Sequence, residues 1–365
     1  MTRDSFDVAV IGAGPAGACA AIAAARAGAR VAIFERTAFP RAKVCGCCLT
    51  ARAVAELRVL GAEAALQGAN ELRTVRVSSG DRSVALRREA GVSIGREILD
   101  ARLVAIARAA GAEVFGECHG RVRDAGVIVA TPGAGAAFEI EARTIIAADG
   151  LAGASLDACD GFDWIVARRS HIGLGATVPA HAVACDEGEI RLRVGDGGYI
   201  GAVRLPDGTV DVAAAVDPHM LRDAGGAAAC AIALLGADAR DLTALRAARW
   251  KGTPQLTRRR ARVAARGILV VGDAAGYIEP FTGEGMTWAI ATGTAAGALA
   301  AHSPAPHEAW PALQARLVGG QRLRCSLIAR ALRSPRLVQL AIGAAGVSRA
   351  PFEWLAGSIG REATA

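Results

Sequence analysis

A run at residues 6–11, apolar but for Asp7, leads directly into Gly12-Ala13-Gly14-Pro15-Ala16-Gly17, and alanine-rich helix formers follow to residue 27. Strand, glycine turn and helix in immediate succession leave few folds open. Glycines at the first, third and sixth positions let the turn close tightly and let backbone approach a pyrophosphate. The free N–H groups and partial positive charge of the helix start can then hold that anion. Gly28 caps the helix, and a second strand at 30–34 ends on Glu35, an acid placed to hydrogen-bond a ribose. The order predicts a βαβ unit that binds a dinucleotide. Gly133 and Gly135, like Gly173 and Gly175, lack a third glycine, so no second domain of this kind is expected.

Composition narrows the class further. With 365 residues, 52% hydrophobic and 21% charged, the chain can bury a large core, which excludes disorder. Its most apolar stretch, 8–28, is broken by Gly12, Gly14, Pro15, Gly17 and Arg26, so neither a membrane-spanning helix nor a secretory signal is expected there. Nine cysteines, an odd number without paired zinc spacing, favour a reducing, cytoplasmic setting. The net charge of +7 suits an anionic partner, but 4% aromatic residues supply few stacking platforms and nucleic acid is not expected. His171, His181, His219 and His302 share no ligand spacing, so no metal is expected. No nucleophile elbow supports a hydrolase.

Along the chain, helical periodicity at 97–110 precedes a strand at 113–115, while 70–90 and 122–146 read as β segments with glycine turns. Between about 161 and 251 the pattern becomes alternating, with Pro206-Asp207-Gly208 joining strands at 199–205 and 209–216. A strand at 267–271 and a helix at 283–301 restore the α/β character. Helices punctuated by Pro304, Pro306, Pro335 and Pro351 follow.

The strand before Gly272 and Asp273, the Asp149-Gly150 pair after a similar strand, and the loop Pro280, Thr282, Gly283, Glu284, Gly285 resemble the flavoprotein aromatic hydroxylase and geranylgeranyl reductase superfamily. That resemblance implies FAD. It assigns Asp273 to the ribityl chain, Asp149 and Gly150 to the neighbourhood of the pyrophosphate, and the Pro280 to Gly285 loop to the isoalloxazine. Arg96, at the start of its helix, resembles the segment contacting the flavin phosphate and ribityl region. Glu35, Arg36, Pro40 and Arg41 resemble the segment leading towards the flavin.

The implied architecture is α/β. A discontinuous Rossmann-like FAD-binding domain takes residues 1–75, 92–155 and 262–300; a mixed or antiparallel β-sheet substrate domain takes 76–91 and 156–261; a helical segment takes 301–365. NAD(P)H would bind only transiently, as an electron donor.

Val44-Cys45-Gly46-Cys47-Cys48-Leu49 resembles the Cys-Gly-x-x-Leu segment of the geranylgeranyl reductase branch, which lines the cavity facing the flavin. Three readings stand: Cys45, Cys47 and Cys48 line the cavity structurally, Cys45 is catalytic, or Cys45 and Cys48 form a redox dithiol. Tyr199 and Arg204 are further substrate-cavity candidates, although the halogenase tryptophan motif is absent around them and halogenation is a minor alternative. The leading expectation is an NAD(P)H-dependent monooxygenase of an aromatic or apolar compound. Its rival is reduction of a carbon–carbon double bond in an isoprenoid or lipid, and a third alternative is a flavin-binding protein without catalysis.

Two basic features remain, Arg258, Arg259, Arg260 and Arg262, and the arginines from Arg316 to Arg336 interleaved with leucines. A solvated face and a peripheral membrane surface are both open readings of them.

Overall fold

The computed structural model describes residues 5–279 and 283–353. Its first sheet has five parallel strands in the spatial order Ile268–Val270, Phe138–Ala147, Ser5–Ile11, Val31–Glu35, Glu113–Gly116. Beyond Ser5 and Asp7 at the open start of the first, Ser5–Ile11 and Val31–Glu35 are continuous apolar runs up to Glu35, as strands covered on both faces must be. Three helices, Pro15–Arg26, Arg96–Ala109 and Glu284–His302, share one apolar core on one face of this sheet. The opposite face carries the hairpin Cys118–Asp124 and Val127–Pro132, packed through Val122, Ile128 and Ala130.

One helix contact is closer than side chains allow. A Cβ on Gly293 or Gly297 would stand 2.1 Å from the carbonyl oxygen of Ala16 or Ala20, so Glu284–His302 lies backbone to backbone on Pro15–Arg26. Glycines four apart on the helix put both contacts on one face, a spacing readable in the sequence but overlooked there.

The second sheet runs Lys251–Gln255, Ile172–Val178, Val210–Val216, Gly198–Arg204, Glu189–Gly195, Asn70–Ser79, Arg82–Ser93, Cys48–Leu49. All its pairings are antiparallel except Glu189–Gly195 with Asn70–Ser79. The expected hairpin is there, closed by Leu205 N–H donating to the Thr209 carbonyl at 2.8 Å. Asn70–Ser79 joins this sheet along its whole length, so a domain cut at residue 75 falls inside a strand.

The helices Pro306–Leu332 and Pro335–Val347 both start on proline. The first is tied to the parallel sheet by Trp310, fully buried, whose indole N–H donates to the Val270 carbonyl at 3.1 Å.

The two basic features have different fates. Arg260 is 3% exposed: it donates to the carbonyls of Gly153 at 2.9 Å and Phe162 at 2.6 Å, and it shares the face of Trp164 with Arg258. That arginine is a buried pin in a small three-stranded sheet, which excludes a fully solvated face at residues 258–262. Among the described residues no helix is long and apolar enough to cross a membrane.

Candidate cofactor and substrate cavity

A cavity of about 600 Å³ lies between the carboxyl ends of the parallel strands and the second sheet. Its position is the one at which open α/β sheets bind ligands. Ala13 marks the start of the site, because its backbone N–H donates to the buried carboxylate of Glu35 at 3.0 Å and locks the glycine turn onto the second strand. Gly12 has φ +98, and a Cβ there would meet the Ala148 carbonyl oxygen at 2.5 Å; at Gly17 a Cβ would stand 1.8 Å from the Gly12 carbonyl oxygen. The helix that follows has no acid in its first turn and no side-chain cap. Its N–H groups are thereby left for an anion.

Cations converge on this helix start. The guanidinium of Arg96 forms a bidentate pair with Asp100, both contacts 2.8 Å, and Arg41 bridges Asp100 at 3.2 Å and Glu35 at 3.3 Å. Both guanidinium groups end within 4 Å of where a Gly14 Cβ would be. Lys43 lines the cavity beside Gly150; burial, then Arg96 and Arg41, push its ammonium below the ordinary lysine range. Asp273, also lining the cavity, is pushed up to about 6 by burial, with Lys43 and Arg96 opposing. Crowded cations at a bare helix N-terminus are relieved by a polyanion, and the residues present fit the pyrophosphate of FAD.

Gly14, Pro15, Ala16, Arg36, Arg96, Asp149, Gly150, Asp273, Gly283, Glu284 and Gly285 all line this cavity. Gly12, Gly17, Glu35, Arg41 and Gly272 form its support, Gly272 through an N–H donated to Thr292 Oγ1 at 3.1 Å. Pro280 lies outside the described residues. One carboxylate oxygen of Asp149 and both of Glu284 are buried without a hydrogen-bond partner, and burial holds Glu284 up to about 8. Sequence reasoning missed Lys43 and Asp100. Lys43 carries no periodic signal, whereas Asp100 is one helical turn beyond Arg96 and was readable as its partner.

The cysteine segment crosses from one sheet to the other. Cys48 and Leu49 pair with Ser93 and Val92 at the edge of the second sheet, and Cys47 takes φ +50 to make the turn. Cys45 and Cys48 line the cavity; Cys47 is buried behind them. The Cys45 sulfur is hydrogen-bonded by Cys47 and faces Arg96, which together hold its thiol below the ordinary cysteine range, against burial. Cys48 donates instead to the Gly46 carbonyl at 2.8 Å, and burial pushes its thiol up. The sulfur of Cys45 donates to that of Met286 at 3.9 Å, and the cysteine that lowers its thiol is Cys47 rather than the C-x-x-C partner Cys48.

Tyr199 is buried at the cavity wall against His171. Arg204 is not among the lining residues: its guanidinium donates to the Cys185 carbonyl at 3.2 Å and its own carbonyl accepts from Ser93, which pins strands together. A residue passed over in the sequence, Asp211, does line the cavity, 7% exposed, with its carboxyl pushed well above the usual range by burial and by Cys45.

Residues 7–169 match the family model described as FAD dependent oxidoreductase. The chain is 30% identical over 342 residues to a menaquinone reductase of Mycobacterium tuberculosis, covering 87% of this chain and 81% of that one. The chain belongs to the FAD-dependent oxidoreductase family. It is also 30% identical over 332 residues to digeranylgeranylglycerophospholipid reductase 1 of Methanopyrus kandleri, covering 81% and 80% of the two chains. A flavin-dependent brominase shares the fold, with a TM-score of 0.81 over 98% of this chain and 95% of that one at 17% identity. The protein is an FAD-dependent oxidoreductase, and the fold alone is common to more than one flavin chemistry.

Proposed function

We propose that this oxidoreductase draws electrons from transiently bound NAD(P)H and adds two hydrogens across a carbon–carbon double bond of an isoprenoid lipid, working at a membrane surface. One observation carries the reading: the charged end of the cavity opens directly into a largely apolar end, walled by Val75, Val77, Val84, Leu86, Leu332 and Ile342 together with the rings of Tyr199 and Tyr277, which accepts a hydrocarbon chain. The names of the two relatives, a menaquinone reductase and a phospholipid reductase, support it. Of the two reactions expected from the sequence, double-bond reduction thus stands ahead of oxygenation.

In this reading Gly12, Gly14, Pro15, Ala16 and Gly17, with Arg41, Lys43 and Arg96, would hold the pyrophosphate. Glu35 and Arg36 would flank the adenosine ribose, and Asp149, Gly150, Gly272 and Asp273 would take the ribityl end. Pro280, Gly283, Glu284 and Gly285 would border the ring. When bound, FAD supplies a hydride after reduction. The chain itself has to supply the proton for the second carbon, from a group that is protonated at neutral pH and faces the cavity. Asp211 is the candidate: it lines the cavity, and burial, then the neighbouring Cys45 sulfur, push its carboxyl well above the usual carboxylate range, towards the protonated form. Cys47 hydrogen-bonds the Asp211 carboxyl, and that bond and the Arg96 charge work in the opposite direction.

The test is anaerobic. Photoreduced protein is mixed with a polyprenyl lipid, and flavin absorbance and product mass are followed. Reoxidation with a product two hydrogens heavier is the expected result; reoxidation that needs O₂ and yields a hydroxylated product overturns the reading. Asp211→Asn should slow reoxidation by the lipid about 10²-fold or more while leaving reduction by NAD(P)H unchanged. Equal slowing of both steps would remove Asp211 from the reaction.

A further inference from the structure

The chain's net charge is not spread over its surface. Residues 309–352 hold seven arginines and no aspartate or glutamate, leaving 35 basic and 35 acidic residues in the remainder. Four of these arginines lie on Pro306–Leu332, which also carries Glu308 in its first turn, and one on Pro335–Val347; Arg333 and Arg349 stand just beyond the two helix ends. The same helices carry five of the ten exposed large hydrophobic side chains among the described residues, so apolar exposure and charge excess coincide on one element pair. Leu323 and Leu327 are one turn apart on Pro306–Leu332, and Leu337, Leu340 and Val347 make a stripe on Pro335–Val347, with Val347 91% exposed. Arg316, Arg330, Arg336 and Arg349 are exposed around them.

The inward faces of these helices do something different. Ile328, Leu332, Val338 and Ile342 wall the apolar end of the cavity, and Ala341 both lines the cavity and is exposed. The helix pair thus separates a hydrocarbon-lined chamber from solvent, and the chamber reaches the surface beside the leucine stripe.

We infer that the outer face of these two helices docks on an anionic lipid bilayer, so that the opening at Ala341 receives the hydrocarbon chain of its substrate directly from the membrane. Leucines flanked by arginines, with no acid among them, are the pattern of an interfacial surface: the apolar stripe enters the acyl boundary while guanidinium groups meet lipid phosphates. A water-soluble partner protein with an acidic face would satisfy the arginines but not the continuity between stripe and chamber. The inference rests on the lipid reading of the substrate, and its test requires no turnover.

FAD-loaded protein is floated with vesicles of phosphatidylcholine alone or with phosphatidylglycerol added. Binding to the anionic vesicles, lost by raising salt, is the expected result. Leu327→Asp with Leu340→Asp should abolish it, and Arg330→Ser with Arg336→Ser should weaken it on the order of tenfold, with flavin content unchanged in both. Equal binding of wild type and variants, or no binding to either vesicle, overturns the inference. So does a wild type that self-associates and becomes monomeric on substitution of the leucines, since the stripe would then face a second copy. A protein that reduces detergent-dispersed lipid without binding vesicles would break this inference alone; one that binds vesicles without reducing the lipid would break the proposed reaction alone.

Discussion

The two ends of the cavity are built by opposite rules. At the glycine turn, contacts are made by backbone and by paired charges: Arg41 and Arg96 on Asp100, Glu35 on the Ala13 N–H, and helices touching through Gly293 and Gly297. At the far end, Val84, Leu86, Leu332 and Ile342 supply only volume and hydrophobicity. A site that must place a pyrophosphate tolerates little change, whereas a hydrocarbon chamber tolerates many side chains of similar size. On the proposed function, cofactor placement then belongs to the first region and choice of substrate to the second.

The largest effect expected from breaking this contrast is at Gly17. A Cβ there would overlap the Gly12 carbonyl at 1.8 Å, and backbone cannot yield as a side-chain tip does. Gly17→Ala should leave purified protein without FAD, read from the absorbance ratio of flavin to protein. Gly346→Ala, in open space on the last helix, should retain full occupancy. If Gly17→Ala also retained flavin, the close packing described at the polar end would be wrong.

The complementary change is Ile342→Trp at the apolar end. Flavin content should be unchanged while KM for a long polyprenyl substrate rises about tenfold or more, because the added ring occupies chamber volume. A short surrogate lipid should be affected less. Loss of flavin in this variant would show that the two ends are not separable.

That separation also explains what was legible in the sequence. Gly12, Gly14, Gly17 and Glu35 are legible because a dinucleotide turn demands particular residue types at fixed spacing, and Asp273 through the family resemblance. Lys43 reaches the same site from a loop whose path depends on packing, and local sequence does not encode that path. Asp211 sits in Val210–Val216, a strand buried at nearly every position, and only the sheet pairing shows which face meets the cavity. Arg260 looked solvated beside its arginine neighbours, and became a buried pin because carbonyls from three separate segments converge on it.

A smaller, pH-dependent effect belongs to the flavin-free protein. Burial holds Asp273 up to about 6 and Glu284 up to about 8, against about 4 for exposed carboxyls. The folded state then binds protons more tightly than the unfolded chain between those limits, so stability falls as pH rises through that window. Melting temperature of the flavin-free protein should decline from pH 4 to 8. Asp273→Asn should flatten the lower part of that decline and Glu284→Gln the upper part; unchanged profiles would mean that neither carboxyl is as desolvated as the geometry implies.

The smallest effect is expected at Cys48, although it lies beside Cys45 in the cavity wall. Cys48 spends its S–H on the Gly46 carbonyl, and burial disfavours its thiolate, so it has neither the partner nor the charge state for thiol exchange. Cys48→Ser keeps a donor of similar size at that carbonyl and should leave flavin content and the rate of lipid reduction within about twofold of wild type. Cys47→Ser is the sharper comparison, because Cys47 donates to the Cys45 sulfur: there the pH dependence of Cys45 alkylation should move, since a hydroxyl replaces the thiol that stabilises the Cys45 thiolate. A Cys48 variant that stops turnover, with Cys47→Ser silent, would reverse the assignment of the pair and return the C-x-x-C dithiol to the centre of the reaction.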